Sequence, residues 1–158
     1  MKTFRTLATA AALAAATLVW TPSPASAATT VDCSTGPVTL RGSAETYTLT
    51  GACSTVTIKG SGLKVTLASA RRVTLRASNT IVRVRGNAGV VRVIGSTARL
   101  QVGRAKSLSI RGAGNQARLT RVPQVTVRGA SNKVVVTKGR TQVKVVGAGN
   151  KVRVNRRA

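Results

Sequence analysis

Acidic residues and histidine are nearly or wholly missing from this chain. Its 158 residues include two acids, Asp32 and Glu45, and no His, against 26 Lys plus Arg, which gives a formal net charge of +24. General acid–base catalysis needs His, Asp, Glu or a tuned Lys, and most metal sites need imidazole or carboxylate ligands. We therefore predict that the protein is not an enzyme and has no catalytic residues, no metal site and no cofactor.

Long apolar runs are also scarce. The longest, Leu7–Trp20, is shorter than the roughly 20 residues that span a bilayer. Lys2 and Arg5 precede it, and Ala25-Ser26-Ala27 follows as a small-x-small cleavage signal. We predict a signal peptide over residues 1–27 and one mature domain over residues 28–158, with no transmembrane segment in the mature protein. The expected location is extracellular or associated with the cell wall.

The main positive feature is a repeat of short apolar-x-apolar triplets. A first set starts at Val38, Val56, Val73, Val91, Leu108, Val125 and Val143. A second set starts nine residues after each member of the first, at Tyr47, Val65, Val82, Leu100, Ala117, Val134 and Val152. Alternation with a period of two indicates half-buried strands, and repeated units stack so that neighbours share one core. The sequence predicts an all-β, single-domain parallel β-solenoid of about seven coils, each with 17–18 residues and two strands. All 28 outer triplet positions are expected to face the core.

Small residues and asparagines mark one corner of each coil. Two residues after each first triplet the chain has Gly42, Gly60, Ala77, Gly95, Gly112, Gly129 and Gly147. Three residues further on, the last three coils have Asn115, Asn132 and Asn150. Asn tolerates left-handed backbone angles, and stacked Asn side chains hydrogen-bond along an axis of stacked strands. We expect both properties at this corner.

The two mature cysteines are placed for a disulfide. Cys33 and Cys53 both open the tripeptide Cys-Ser-Thr ahead of a first-set triplet. If these segments stack as neighbouring coils, the cysteines lie about 4.8 Å apart, within disulfide reach. Export makes the bond chemically permissible. We predict a Cys33–Cys53 disulfide; the alternatives are two free thiols or a metal site, for which two Cys without His are a poor ligand set.

The cysteine pair and the Gly-x-x-Asn-x-Val-x-Val units, such as residues 129–136, resemble the secreted, largely actinobacterial family called domain of unknown function 3060. The resemblance extends over most of the mature chain. It implies a repetitive β-solenoid with no established activity, so it supplies no catalytic or binding residues. This chain departs from the family pattern by having Arg and Lys where the family tends to have Thr, Ser or Asp.

The period also places basic residues in columns along the rod. One column follows the first triplets at Arg41, Lys59, Arg76, Arg111 and Arg128, with gaps at Ile94 and Val146. A corner column after the second triplets contains Arg104, Arg121 and Lys138, and Arg156 continues it in the last coil. Further basic residues precede or lie within the second triplets: Lys64, Arg83, Arg99, Arg118, Lys133, Lys151 and Arg153. We select the first two columns as the candidate polyanion-binding residues.

These columns predict a secreted, non-enzymatic binding protein whose partner is an anionic polymer or an anionic cell-envelope surface. Cell-wall polyanions, anionic lipids and extracellular DNA all fit. The three aromatic residues offer little stacking surface, and no helix pattern follows the leader, so sequence-specific nucleic-acid recognition is not expected.

Two other classes stay open. The alternative is a purely structural or adhesive surface solenoid, in which the charge serves solubility and protects strand edges from aggregation. Thr39, Thr57 and Thr74 form a short ladder that suggests ice binding, but Arg92 interrupts it.

Overall fold

The computed structural model describes residues 28–155, so the predicted signal peptide lies outside the described residues. Within that range the secondary structure is entirely β, with no helix and hence none that could cross a membrane. The strands are β1 Thr29–Asp32, β2 Val38–Ser43, β3 Thr46–Ser61, β4 Lys64–Ser78, β5 Ile81–Ile94, β6 Arg99–Arg111, β7 Gln116–Arg121, β8 Gln124–Arg128, β9 Lys133–Val136, β10 Gln142–Val146 and β11 Lys151–Val154.

All strand pairs are parallel, and they build two stacks that we call column A and column B. Column A joins residues 38–43, 56–61, 73–78, 91–94, 108–111, 124–128 and 142–146. Column B joins residues 29–32, 46–49, 64–67, 81–84, 99–102, 116–119, 133–136 and 151–154. Partners are 17 or 18 residues apart, as in Val56↔Val73 and Val73↔Val91. The predicted parallel β-solenoid of about seven coils is confirmed.

The core is the space between the two columns. Every predicted triplet falls inside a strand, and β-branched residues suit the half-buried pleated surface. The inward residues of the middle coils, such as Val73, Leu75 and Val93, are fully buried. Val143 and Val145 are corrections to the expected core: they are 42 % and 41 % exposed, because β10 pairs only with β8 among the described strands.

The corner from column A to column B explains the small residues of the sequence. A Cβ at Gly60 would overlap the carbonyl oxygen of Gly42, and a Cβ at Gly129 would overlap that of Gly112. These glycines also have positive φ angles, 131° and 128°, which disfavour any side chain. Glycine is therefore required by close approach between coils as well as by the turn itself.

The same corner corrects the expected role of the asparagines. The left-handed residue is the one before each Asn, namely Gly114 (φ 65°), Ser131 (φ 55°) and Gly149 (φ 67°). Left-handed residues occupy the same place in the earlier coils, at Ala44, Gly62, Asn79 and Thr97. The asparagine after it points inward instead: Asn115 and Asn132 are buried.

The inward asparagines form the predicted ladder along the rod axis. The Oδ1 atom of Asn132 accepts hydrogen bonds from the backbone N–H and the Nδ2 of Asn115, both at 3.0 Å. The Nδ2 of Asn132 donates to the carbonyl oxygen of Gly112 at 2.8 Å and to the Oδ1 of Asn150 at 2.9 Å. No buried side-chain polar atom in the described range lacks a partner, so the ladder is fully satisfied.

The opposite corner, from column B to column A, contains the disulfide. Cys33 and Cys53 are bonded, with their Cα atoms 4.9 Å apart, which confirms the predicted pair. Below them the inward position is taken by Ala70, Ala88 and Ala105, all buried. Further along the stack, the residue after Arg121 at this position is the buried Val122.

One strand was missing from the sequence prediction. β1 pairs with β3 in the register Thr29↔Tyr47 to Asp32↔Thr50, so it adds an eighth strand to column B. Its signal is present in the chain, since Thr29 precedes Tyr47 by 18 residues. Only Val31 of its four residues is apolar and half-buried. β1 therefore contains no apolar-x-apolar triplet, and the sequence analysis did not predict it.

The inside–outside assignment predicts opposite effects for two adjacent substitutions. Leu75→Asp would bury an unpaired carboxylate and should cost several kcal/mol of stability, because Leu75 is fully buried. Thr74→Asp adds the same charge one residue away on the outer surface and should change stability little. Denaturant unfolding of both variants checks this, and equal losses would contradict the assignment.

The asparagine ladder predicts that Asn132→Ala destabilises the fold by about 2–4 kcal/mol. The change leaves the amide groups of Asn115 without their Oδ1 acceptor and removes the donor to Gly112, and each buried unsatisfied group costs about 1–3 kcal/mol. Gln116→Ala, at an exposed position beside the ladder, is the control. Thermal unfolding by circular dichroism measures the difference; similar melting temperatures for the two variants would contradict a stabilising ladder.

Candidate functional site

The first predicted column of basic residues lies on the outer surface of the strand stack called column A. The registers place Arg41 beside Lys59 and Lys59 beside Arg76, and further along they place Arg111 beside Arg128. All five side chains point away from the core and none is buried. Neighbours in this column are separated at the backbone by the strand spacing, about 4.8 Å.

Where that column lacks a basic residue, the same coil carries one at a nearby outward position. Ile94 interrupts it in the fourth coil and Val146 in the seventh. Two residues earlier on the same strands, and on the same outer surface, lie Arg92 and Lys144, both exposed. We define face A as the middle and trailing outward positions of the seven column A strands. Face A then has one cation in every coil: Arg41, Lys59, Arg76, Arg92, Arg111, Arg128 and Lys144.

The predicted corner column is also continuous. Arg104 is the register partner of Arg121, and the backbone N–H of Lys138 donates to the carbonyl oxygen of Thr120 at 2.9 Å, which places Lys138 in the next coil of the stack. All three basic side chains are exposed. They form a short basic edge between the two faces, three coils long in the described range; Arg156, which continues the predicted column, lies outside the described residues.

The structure reveals a second basic face that the sequence analysis did not select. We define face B as the leading and middle outward positions of the column B strands. From the second coil to the last it carries Lys64, Arg83, Arg99, Arg118, Lys133 and Arg153, all exposed. These cations alternate between two neighbouring columns, so neither column alone shows the pattern in the sequence. Lys151 adds one further cation in the last coil.

Face B contains two grooves between its long side chains. One has a volume of about 210 Å³ and is lined in part by Arg99, Gln116 and Lys133. The other has a volume of about 470 Å³ and is lined in part by Arg83 and Arg85. Gln101 and Arg118 line both grooves. The two grooves share the fourth to sixth coils, one towards the leading ends and the other towards the trailing ends of the strands, so they lie side by side on a single basic surface.

A larger groove lies at the corner that contains the disulfide. Its volume is about 810 Å³, and small residues such as Ser54, Ser69 and Gly89 line most of it, together with Arg71 and Lys106. These side chains offer two cations and several hydroxyl groups. They contain neither a carboxylate nor an imidazole, so the groove presents an anion-attracting surface without an acid–base pair.

Both acidic residues lie at the N-terminal end of the rod, where local hydrogen bonds hold them. The backbone N–H of Ser34 donates to Oδ1 of Asp32 at 2.9 Å and lowers the pKa of that carboxyl. The hydroxyl of Tyr47 donates to Glu45, which raises the pKa of Tyr47. Neither acid lies on face A, on face B or on the basic edge, so no negative charge interrupts the three basic surfaces.

Direct stacking of like charges predicts a salt-dependent gain in stability when one is removed. Lys59→Gln removes a cation that lies between Arg41 and Arg76, each of which repels it by up to about 1 kcal/mol in water. The variant should melt at a higher temperature at low salt, and the gain should shrink in high salt. Lys64→Gln is the control, because its register partners are the neutral Thr46 and Ile81. An equal gain for both variants would contradict a column effect.

Comparison with known proteins yields one family. No curated protein and no solved structure matches the chain. A family model matches residues 40–84 and 110–157, which together are more than half of the chain, and so confirms the resemblance noted in the sequence. The chain therefore belongs to the family described as "Protein of unknown function (DUF3060)".

Proposed function

We propose that the protein is a secreted, non-enzymatic binding protein whose basic rod surface binds anionic polymers of the cell envelope or its surroundings. The observation that carries the proposal is the cation in every coil of face A, maintained even where the first column is interrupted. Export is part of the proposal, and the Cys33–Cys53 disulfide supports it.

The compensation at Ile94 and Val146 favours binding over solubility as the role of the charge. Solubility needs net charge, but it does not need one cation in each coil of one face. A surface with both signs interspersed is also soluble and would avoid the repulsion within the Arg41, Lys59 and Arg76 stack. A regular array of one sign is instead what a polymer with regularly spaced negative charges requires.

Binding would follow from counterion release along the rod. Seven coils at the strand spacing make a rod about 33 Å long. A polyanion lying along it exchanges its condensed counterions for Lys and Arg side chains, so affinity falls steeply with salt. Base-specific recognition is not part of the proposal. Tyr47 is the single aromatic side chain in the described range, and its hydroxyl is engaged with the carbonyl oxygen of Arg41 at 3.0 Å.

A structural or adhesive role is the second candidate. Its specific support is the apolar surface of the last described coil, where Val143, Val145 and Val146 are 41–51 % exposed. Exposed apolar patches on soluble proteins often contact other proteins. Val146 shares face A with Lys144, whereas Val143 and Val145 occupy the inward positions of the same strand, so substitutions at Val143 and Val145 test this role without changing the basic faces.

The proposal predicts which cations set the salt dependence of binding. Replacing Arg76, Arg111 and Arg128 together by Gln should lower the log–log salt slope for a polyanion such as heparin by about two to three units if face A is used. Replacing Arg104, Arg121 and Lys138 by Gln removes the same charge from the basic edge and is the matched variant. Affinity measured from 50 mM to 500 mM salt compares them.

The outcomes of this experiment are distinct. A larger change for the face A variant identifies face A as the contact surface, and a larger change for the edge variant identifies the edge. Wild-type protein that leaves a polyanion column at low salt, as a neutral protein does, would refute polyanion binding and leave solubility as the role of the charge.

A further inference from the structure

The cations of face B are staggered instead of stacked. Register pairing puts Ile81 beside Lys64, Gln101 beside Arg83, Gln116 beside Arg99 and Val135 beside Arg118. Each cation therefore has an uncharged neighbour in the following coil. The exception is the last coil, where Lys151 lies beside Lys133 in addition to the alternating Arg153.

The stagger sets a different charge spacing from that of face A. Successive cations of face B are offset by one strand spacing and by two residues along the strand, so their backbones are about 8 Å apart. Directly stacked cations of face A are about 4.8 Å apart. Face B is therefore suited to a polymer with more widely separated charges, and it has less repulsion between its own side chains.

Phosphodiester polymers built on short polyols have a similar spacing. Three backbone bonds of an extended chain span about 3.5 Å, so the six bonds between phosphates in a glycerol-phosphate chain span about 7 Å. Such a chain can place successive phosphates against successive cations of face B. Arg side chains, which supply four of the six alternating cations, bind phosphate oxygens through two parallel N–H donors.

The uncharged positions of face B suit a polyol. Thr66, Gln101 and Gln116 lie between the cations in the same outward columns. Their hydroxyl and amide groups donate and accept hydrogen bonds, as the free hydroxyls of a polyol do. Gln101 lines both face B grooves and Gln116 lines one. No aromatic side chain of the described range lies on face B, so nucleic-acid bases would find no stacking platform there.

We infer that face B binds a polyol-phosphate chain that follows the zigzag of its cations along the rod, with about one phosphate for each coil. The inference rests on the proposed function and adds a second binding surface, face B, with its own class of ligand. A DNA duplex fits less well, because each of its strands returns to the same side only once per turn of about 34 Å. A rod about 33 Å long would then touch few duplex phosphates, whereas a flexible chain on the zigzag path would meet about six cations.

The test changes the stagger without changing the charge. Gln116→Arg combined with Arg118→Gln moves one cation into the column of its neighbours Arg99 and Lys133 and preserves composition. The control, Ser109→Arg combined with Arg111→Ser, makes the same two-residue shift on face A. Circular dichroism establishes that both variants fold. If the first does not, Arg99→Gln combined with Gln101→Arg replaces it.

The probe is synthetic poly(glycerol phosphate) of eight units, with affinity measured against salt concentration. We expect the face B swap to weaken binding about three- to tenfold and to lower the salt slope by about one unit, because one phosphate loses its cation. The face A swap should bind like the wild type. Oligothymidylate of equal charge should bind no more tightly than the polyol chain, and a duplex of equal length should show a shallower slope.

The contrary results separate this inference from the proposed function. If the face B swap binds the polyol chain as the wild type does, or if both swaps weaken binding equally, the staggered site is wrong and polyanion binding still stands. Tighter binding of oligothymidylate or of the duplex would also refute the polyol ligand. If the wild type binds none of these probes at low salt, the proposed function itself fails.

Discussion

In-register parallel stacking of near-identical coils is the interaction on which the rest of this molecule depends. A single coil cannot bury its apolar face, but neighbours joined by pairs such as Val56↔Val73 and Val73↔Val91 share one core. The stacking repeats each structural position at the strand spacing of about 4.8 Å. Any property chosen at one position, whether small size, hydrogen bonding or charge, is therefore multiplied along the rod.

Inside the rod this repetition is stabilising. Successive corners approach so closely that a Cβ at Gly60 or Gly129 would overlap the neighbouring coil. At the same corner Asn115, Asn132 and Asn150 lie within hydrogen-bonding distance of one another from coil to coil. Buried amides without hydrogen-bond partners would lower the stability of the fold, whereas a fully hydrogen-bonded ladder fixes the register between coils. The disulfide acts at the other corner and at the N-terminal end, where the first coil has fewer neighbours.

Outside the rod the same repetition is costly, because identical charges come to lie beside one another. Face A accepts direct stacks such as Arg41, Lys59 and Arg76, and face B avoids them in all but its last coil by alternating two columns. Acidic residues at a few outward positions would remove the repulsion, yet both acids lie at the N-terminal end of the rod. The two faces thus present one sign of charge at two spacings, which would suit polyanions of different charge density.

The 17–18-residue period was sufficient to predict the solenoid, its strands, its disulfide and the column from Arg41 to Arg76, because each follows from counting positions in one coil. Counting could not show which residue of Gly114-Asn115 is left-handed, since that depends on how the corner bends in three dimensions. The period also did not predict β1, because its mostly polar residues form a strand only by pairing with β3. The basic residues of face B were visible in the sequence, but they were not selected as a binding surface. They form one path of cations because the register of the stacked strands, a tertiary property, places Lys64, Arg83 and Arg99 in successive coils of one surface.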